Sequence, residues 1–337
     1  MQTPLTLRVD VEKWPLKAPF RITGHTMLDC ELVVVTLIAG DLQGRGEAEG
    51  VYYRGDDVAA MVKNIEAVRP RIEAGIDRES LQQLLPPGGA RNALDCALWD
   101  LDAKRTQRPV WQLAGLEEPK PILTAHTLGA DSPEAMAEGA RGYREAKLLK
   151  LKLTGEPIDP ERIRAVRAAR PDVSLAVDGN QGFTRATLEA LVPVLTQARV
   201  TLIEQPFKIG QDASLDGLKL PIPIAADESF QGLSDLQQLV GRYGVVNVKL
   251  DKCGGLTEAL AIAHEARRVG LDVMVGNMTG TSLAMAPGFL VGQLCQVVDL
   301  DGPLFLRDDR TPGATYRDGK IWCPPGLWGS PGAARQG

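Results

Sequence analysis

Apolar and polar positions change their rhythm near residue 120. Before it, residues 3–11 and Glu31 to Ile38 read as strands. A turn at Gly40 and Asp41 leads into Gly44-Arg45-Gly46-Glu47-Ala48, a third strand paired to the second. Residues 56–73 carry apolar side chains at Val58, Met61, Val62, Ile65 and Val68, the spacing of a helix. A break at Pro86-Pro87-Gly88-Gly89 precedes Ala90 to Lys104, where Ala93, Leu94, Ala97, Leu98 and Leu101 trace one buried helix face. Pro109 to Leu113 reads as one more short helix. A meander of strands followed by helices predicts an α+β unit.

Beyond residue 120, strand-like runs alternate with amphipathic segments. The strands predicted are Ile122–Leu128, Leu148–Leu153, Ser174–Asn180, Val200–Gln205, Ile224–Glu228, Val245–Leu250, Asp272–Asn277 and Gln296–Asp301. Helical spacing appears in Pro133–Glu145, Pro160–Ala169, Arg185–Thr196, Leu256–Arg268 and Ser282–Gln293. The Pro-rich link from Pro206 to Pro223 gives the weakest helix signal. Such alternation implies parallel strands with right-handed crossovers. Eight strands at this spacing most simply close into an α/β barrel, with an open doubly wound sheet as the alternative. No Gly-x-Gly-x-x-Gly follows the first strand, which weakens a dinucleotide-binding version of the open sheet. The tail is rich in Pro, Gly and Trp and is expected to pack irregularly on the rest of the chain, with its last few residues loose.

Composition narrows the function classes. The 337 residues, 44% hydrophobic and 24% charged, suit a globular protein with a large core. The net charge of −5 is mild, and the absence of a basic stripe argues against nucleic acid as a partner. The longest apolar run, Leu32 to Ala39, is too short to span a membrane, and no signal peptide is evident at Met1-Gln2-Thr3-Pro4. Five cysteines, odd in number and without a CxxC pair, point to reduced thiols in the cytoplasm and away from zinc. Three histidines leave little room for catalysis built on several imidazoles.

Candidate chemistry begins at Leu148-Leu149-Lys150-Leu151-Lys152-Leu153. On a strand, Lys150 and Lys152 share one face and the leucines between them share the other. Lysines also decorate edge strands for solubility, and charged strand ends also form ordinary rim ion pairs. What sets these apart is the series: Asp178, Glu204 and Asp227 end three successive strands, and Lys249 ends the next. In a parallel barrel such ends form the active site. Three converging carboxylates repel one another unless a cation or protons intervene. Oxygen-only ligands suit a hard ion, so Mg²⁺ is expected. Strand order then sets Lys152 and Lys249 on opposite sides of whatever the metal binds. A metal on a carboxylate oxygen stabilises the enediolate formed when the adjacent carbon loses its proton. A lysine with a lowered pKa takes that proton, and a lysine across the site returns one to the other face. That is racemisation or epimerisation; an elimination needs only one base.

These residues resemble a known family. Lys150-Leu-Lys152, Val-Asp178-Gly-Asn180, Ile-Glu204-Gln-Pro, Ala-Asp227-Glu-Ser and Val-Lys249-Leu-Asp-Lys-Cys-Gly-Gly-Leu are similar to motifs of the enolase superfamily, in its muconate lactonising enzyme subgroup. Arg91 to Asp100 resembles a stretch of its capping domain. The resemblance implies a modified (β/α)7β barrel at 120–305, an N-terminal α+β capping domain at 1–119, and a tail at 306–337 packed back on the cap. Within the subgroup the chain most resembles dipeptide epimerases of the L-Ala-D/L-Glu type. Carried over, Lys152 and Lys249 are the acid/base pair, Lys150 tunes Lys152, and Asp178, Glu204 and Asp227 hold Mg²⁺. Asp299 and Asp301, an Asp-x-Asp on the eighth strand, stand where those enzymes hold the free ammonium of a dipeptide. Assembly into a homo-oligomer is a further expectation.

One position departs from the pattern. The alanyl-glutamate epimerases carry an arginine near the place of Gly24, where it pairs with the glutamate side chain. Gly24 cannot do this, so altered specificity is expected. Arg21 and Arg54 are the candidates to replace it, although a three-residue offset points Arg21 toward the other face of an extended segment. The competing readings are N-acylamino acid racemase, o-succinylbenzoate synthase or muconate cycloisomerase in the same subgroup, a Schiff-base aldolase, and a barrel that only binds small molecules. Asp299 and Asp301 argue against the first three, whose substrates lack a free ammonium.

Overall fold

The computed structural model describes residues 4–22 and 25–331, with the side chains of Arg21, Ile22 and His25 excepted. The N-terminal part is a three-stranded antiparallel sheet of Thr6–Ile22, His25–Ala39 and Leu42–Ala48, in that order. The first two strands run well past the predicted ends, with the register shifting between Pro15 and Phe20. The run from Leu32 to Leu37 is apolar except at Thr36, and buried throughout, because both faces are covered. Val33, Val35 and Leu37 pack toward the cap helices, while Val34 joins the barrel core.

Besides the expected single turn Val110–Leu113, three helices follow, Val58–Glu73, Arg78–Leu84 and Gly89–Thr106. The last is buried on nearly all sides because it lies between sheet and barrel. Gly46 permits the close approach: a Cβ there would stand 2.1 Å from Ala93 O of this helix.

Eight parallel strands form one sheet from Ala125–Leu128 round to Val297–Val298. This is the expected α/β barrel, and it differs from the predicted boundaries in two informative places. Ile122–Leu128 is not one strand. Ile122–Leu123 pairs antiparallel with Lys320–Trp322 of the tail, and only Ala125–Leu128 enters the barrel. Thr124 marks the change: its amide donates to Gly319 O, and its hydroxyl accepts from Leu300 N at 2.9 Å. The link Pro206–Pro223 holds only the short 3-10 turn Asp212–Leu215 in place of a helix. Side chains stitch the seam between the eighth and first strands, with Asp301 Oδ2 accepting from Thr127 N at 2.6 Å.

The tail touches all layers. Trp328 Nε1 donates to Arg45 O at 2.9 Å and Cys96 O at 3.2 Å, and Gly329 N donates to Asp100 Oδ1 at 2.8 Å. Arg310 joins Glu12 and Glu47 of the cap, at 2.7 and 2.6 Å. Glu47 also accepts from the amide of Thr281 on the barrel at 2.7 Å. No helix among the described residues is long and apolar enough to cross a membrane.

Candidate active site

Period-two alternation builds the site. On Leu148–Lys152, Leu149 and Leu151 face the outer helices, so Leu148, Lys150 and Lys152 face the barrel axis. The interior is then layered. Leu148, Ala176, Leu202, Ala225, Val245, Met274 and Val297 form an apolar plug. Two residues further along most of these strands stand the polar side chains Lys150, Asp178, Glu204, Asp227, Asn247 and Asp299. The ladder fixes their heights, with Lys152 opposite Asp178 and Asp178 opposite Glu204.

One ligand atom from each of Asp178, Glu204 and Asp227 lies within 4.8 Å of the others. All three side chains are buried. Lysine ammoniums surround them. Lys152 Nζ donates to Asp178 Oδ2 at 2.6 Å, and Lys249 Nζ to Asp227 Oδ2 at 2.7 Å. Lys252 holds the other oxygen, Asp227 Oδ1, at 2.6 Å. Glu204 Oε1 accepts from Asn247 Nδ2 at 2.8 Å, while Oε2 has Lys150 Nζ at 2.8 Å but no well-aligned hydrogen bond. Three buried carboxylates without histidine or cysteine fit a hard divalent cation.

Burial raises every carboxyl pKa here, and the lysines decide which remain charged. Burial and Asp178 push Glu204 up to about 7. Burial works the same way on Asp227, but Lys249 and Lys252 overcome it and hold that carboxyl well below the usual range. In return, burial would lower Lys249, yet Asp227 and Glu204 keep it above its ordinary value.

Lys150 has more partners than the sequence indicated. Its ammonium stands 3.3 Å from Asp178, 2.8 Å from Glu204 and 2.7 Å from Asp299. Of the Asp-x-Asp, Asp299 is therefore already ion-paired. Asp301 is held by Thr127 N, and burial together with Asp299 raises it to about 7. Arg54 is exposed and donates to Gln231 Oε1 at 3.0 Å. Gly24 lies outside the described residues, as does the side chain of Arg21.

Asn247 and Lys252 are site residues that the sequence reading did not single out. Asn247 was legible in principle, since it precedes Lys249 by two on one strand and so shares its face. Lys252 sits on the one-turn helix Leu250–Cys253, where no periodic pattern marks it.

A family model for the mandelate racemase / muconate lactonizing enzyme N-terminal domain matches residues 5–115, and an enolase C-terminal domain-like model matches residues 135–329. The L-Ala-D/L-Glu epimerase of Escherichia coli (strain K12) is 41% identical over 318 residues, covering 94% of this chain and 99% of that protein. An N-acetyl-D-glutamate racemase from a Pseudoalteromonas species is 41% identical over 292 residues, 86% of this chain and 92% of that protein. Among solved structures, an enolase family member from Agrobacterium tumefaciens, described as homologous to dipeptide epimerases and bound to sodium and L-Ala-L-Glu, superposes with a TM-score of 0.94. It is 40% identical and covers 97% of this chain and all of its own.

Proposed function

The chain belongs to the mandelate racemase / muconate lactonizing enzyme family of the enolase superfamily, and we propose from this that it is a Mg²⁺-dependent dipeptide epimerase. The observation that carries the reading is the placement of two lysines on opposite walls of one carboxylate triad. Lys152 is paired to Asp178 on one wall and Lys249 to Asp227 on the other. A carbon held between them can lose a proton to one lysine and gain one from the other, which inverts it.

Asp178, Glu204 and Asp227 are the residues that would hold Mg²⁺. When bound, the ion supplies positive charge that offsets the charge growing on the substrate carboxylate. Either lysine must be neutral to accept a proton, so its carboxylate partner has to be engaged elsewhere at that moment. Lys150 counters the charge of Asp178, Glu204 and Asp299. Asp301 and Asp299 receive the free ammonium of the dipeptide. Five cysteines, all free, suit a reducing cytoplasm.

Racemisation of an N-acylated glutamate is the second reading. The Pseudoalteromonas relative favours it, and so does the prior claim of Lys150 on Asp299. Incubation in D₂O with Mg²⁺ and a dipeptide library, read by mass spectrometry, tests the first against the second. Deuterium uptake by dipeptides is expected. Uptake by N-acetylglutamate alone would favour racemisation, and uptake by neither would refute both.

A further inference from the structure

Immediately after Lys249 the barrel chain becomes the seat of the cap. Lys249 opens the one-turn helix Leu250–Cys253, which ends at Gly254 and Gly255, with φ of +82° and +117°. The central cap helix lays Arg91, Asp95 and Trp99, one turn apart, on this stretch. Arg91 donates to Cys253 O at 2.5 Å and to Gly254 O at 3.2 Å, and pairs with Glu258. Gly254 suits this place because its φ is left-handed and a Cβ, 2.3 Å from Arg91 Nε, would push the guanidinium aside. Asp95 accepts from Thr257 N at 2.9 Å and from its hydroxyl at 2.6 Å, and Trp99 Nε1 donates to that hydroxyl at 2.9 Å.

A second tie runs from the barrel back into the cap. Buried Asp251 accepts from Gly50 N at 3.0 Å. Gly50, with φ of +83°, starts a turn closed by the bridge between Val51 and Asp56. Asp56 in turn accepts from Gly89 N at 2.7 Å, at the start of the same central helix. The turn carries Tyr52 and Tyr53. Tyr53 stands 3.5 Å from Gln231 Nε2 and close enough to Lys249 to feel its charge. Among the described residues, no hydrogen bond or ion pair joins a cap side chain to Leu148–Lys152.

We propose that Asp251 is a positioning residue that latches the Gly50–Asp56 turn onto the Lys249 wall, so that proton transfer by Lys249 depends on this contact and transfer by Lys152 does not. The proposal rests on the reading of the two lysines as an acid/base pair. A latched turn fixes the chain that follows Lys249 against the N-terminal sheet and helices, and small displacements of a reacting group cost large factors in rate.

The test uses Mg²⁺-loaded full-length wild type, Asp251→Ala and Asp251→Asn, with L-Ala-L-Glu and L-Ala-D-Glu in D₂O. Deuterium in the recovered, uninverted substrate is read separately for each epimer. The Lys249→Ala variant identifies the epimer that Lys249 deprotonates, as the one whose exchange it silences. Asp251→Ala is expected to slow exchange of that epimer about tenfold or more while the other stays within about twofold. Asp251→Asn keeps the acceptor oxygen and is expected to restore both. Backbone hydrogen exchange should accelerate at Val51–Asp56 in Asp251→Ala. Equal slowing of both epimers, or unchanged backbone exchange in the turn, overturns the latch. If wild type exchanges neither dipeptide, the functional reading falls, and backbone exchange alone still decides whether the latch exists.

Discussion

On one wall of the site Lys152 reaches Asp178 at 2.6 Å from a regular strand backed by apolar helices. On the other, Lys249 reaches Asp227 at 2.7 Å, but a second lysine, Lys252, holds the remaining oxygen, and the chain beyond Lys249 is gripped by the cap. The two lysines are alike in chemistry and in distance to a carboxylate. They differ in what fixes them. Among the described residues, the Lys152 wall is positioned by a β ladder and the helices behind it, which are local and regular. The Lys249 wall is positioned by a junction of two domains, which brings in buried Asp251, Asp95 and Arg91. The proposed two-base reaction needs equal reach from both sides, and on that reading the fold provides it by unequal means.

The largest expected effect removes what the walls share. Asp178→Ala takes a carboxylate from the triad and the partner from Lys152, so α-proton exchange should fall by about 10³-fold or more from both epimers. Chelation should do the same to the wild type, with recovery on adding Mg²⁺ restricted to the wild type. Exchange surviving both treatments would deny the triad a metal role.

A smaller effect is expected at the end of the eighth strand. Asp301→Asn removes a charge-assisted contact to a substrate ammonium, worth roughly 10- to 100-fold in kcat/KM for dipeptides. N-acetylglutamate, which has no ammonium, should lose little. Steady-state kinetics on the two substrate types read this directly.

The smallest effect separates the walls by pH. Burial lifts Asp251 to about 7 and Asp95 to about 6, both behind Lys249. An unfolded aspartate titrates near 3.9. The folded chain therefore binds protons that the unfolded chain releases, and stability rises as pH falls from about 8 toward 6. Metal-free melting temperature should climb by roughly 1–3 °C per group. The Asp95→Asn, Asp251→Asn double variant should reduce that slope, leaving the share of Glu204 and Asp301, which are also raised to about 7; an unaltered slope would show that Asp95 and Asp251 carry none of it.

Much of the site was legible because alternation on a strand is strict. Once Leu149 and Leu151 face out, Lys150 and Lys152 must face in, and the same rule delivers Asp178, Glu204 and Lys249. The rule also reached Asn247, which its apolar neighbours Val246 and Val248 obscured. It could not reach Lys252, since a single helical turn has no period to read. Nor could it divide Ile122–Leu128, where no glycine or proline marks a break. The break at Thr124 is imposed by Lys320–Trp322, about 200 residues away in sequence. Arg54 was a fair candidate by charge, and the fold turns it toward Gln231. Long-range pairing and loop direction are tertiary facts that local pattern does not encode.

The division of labour between Lys152 and Lys249 is tested most directly by deleting each. Pure L-Ala-L-Glu and pure L-Ala-D-Glu would be incubated in D₂O with the Mg²⁺-loaded Lys152→Ala and Lys249→Ala variants, and α-deuterium measured in the recovered substrate. The expected result is reciprocal: each variant fails to exchange one epimer and still exchanges the other, with no epimerisation by either. Exchange of both epimers by one variant, or epimerisation at the wild-type rate, would contradict a proton relay between the two walls.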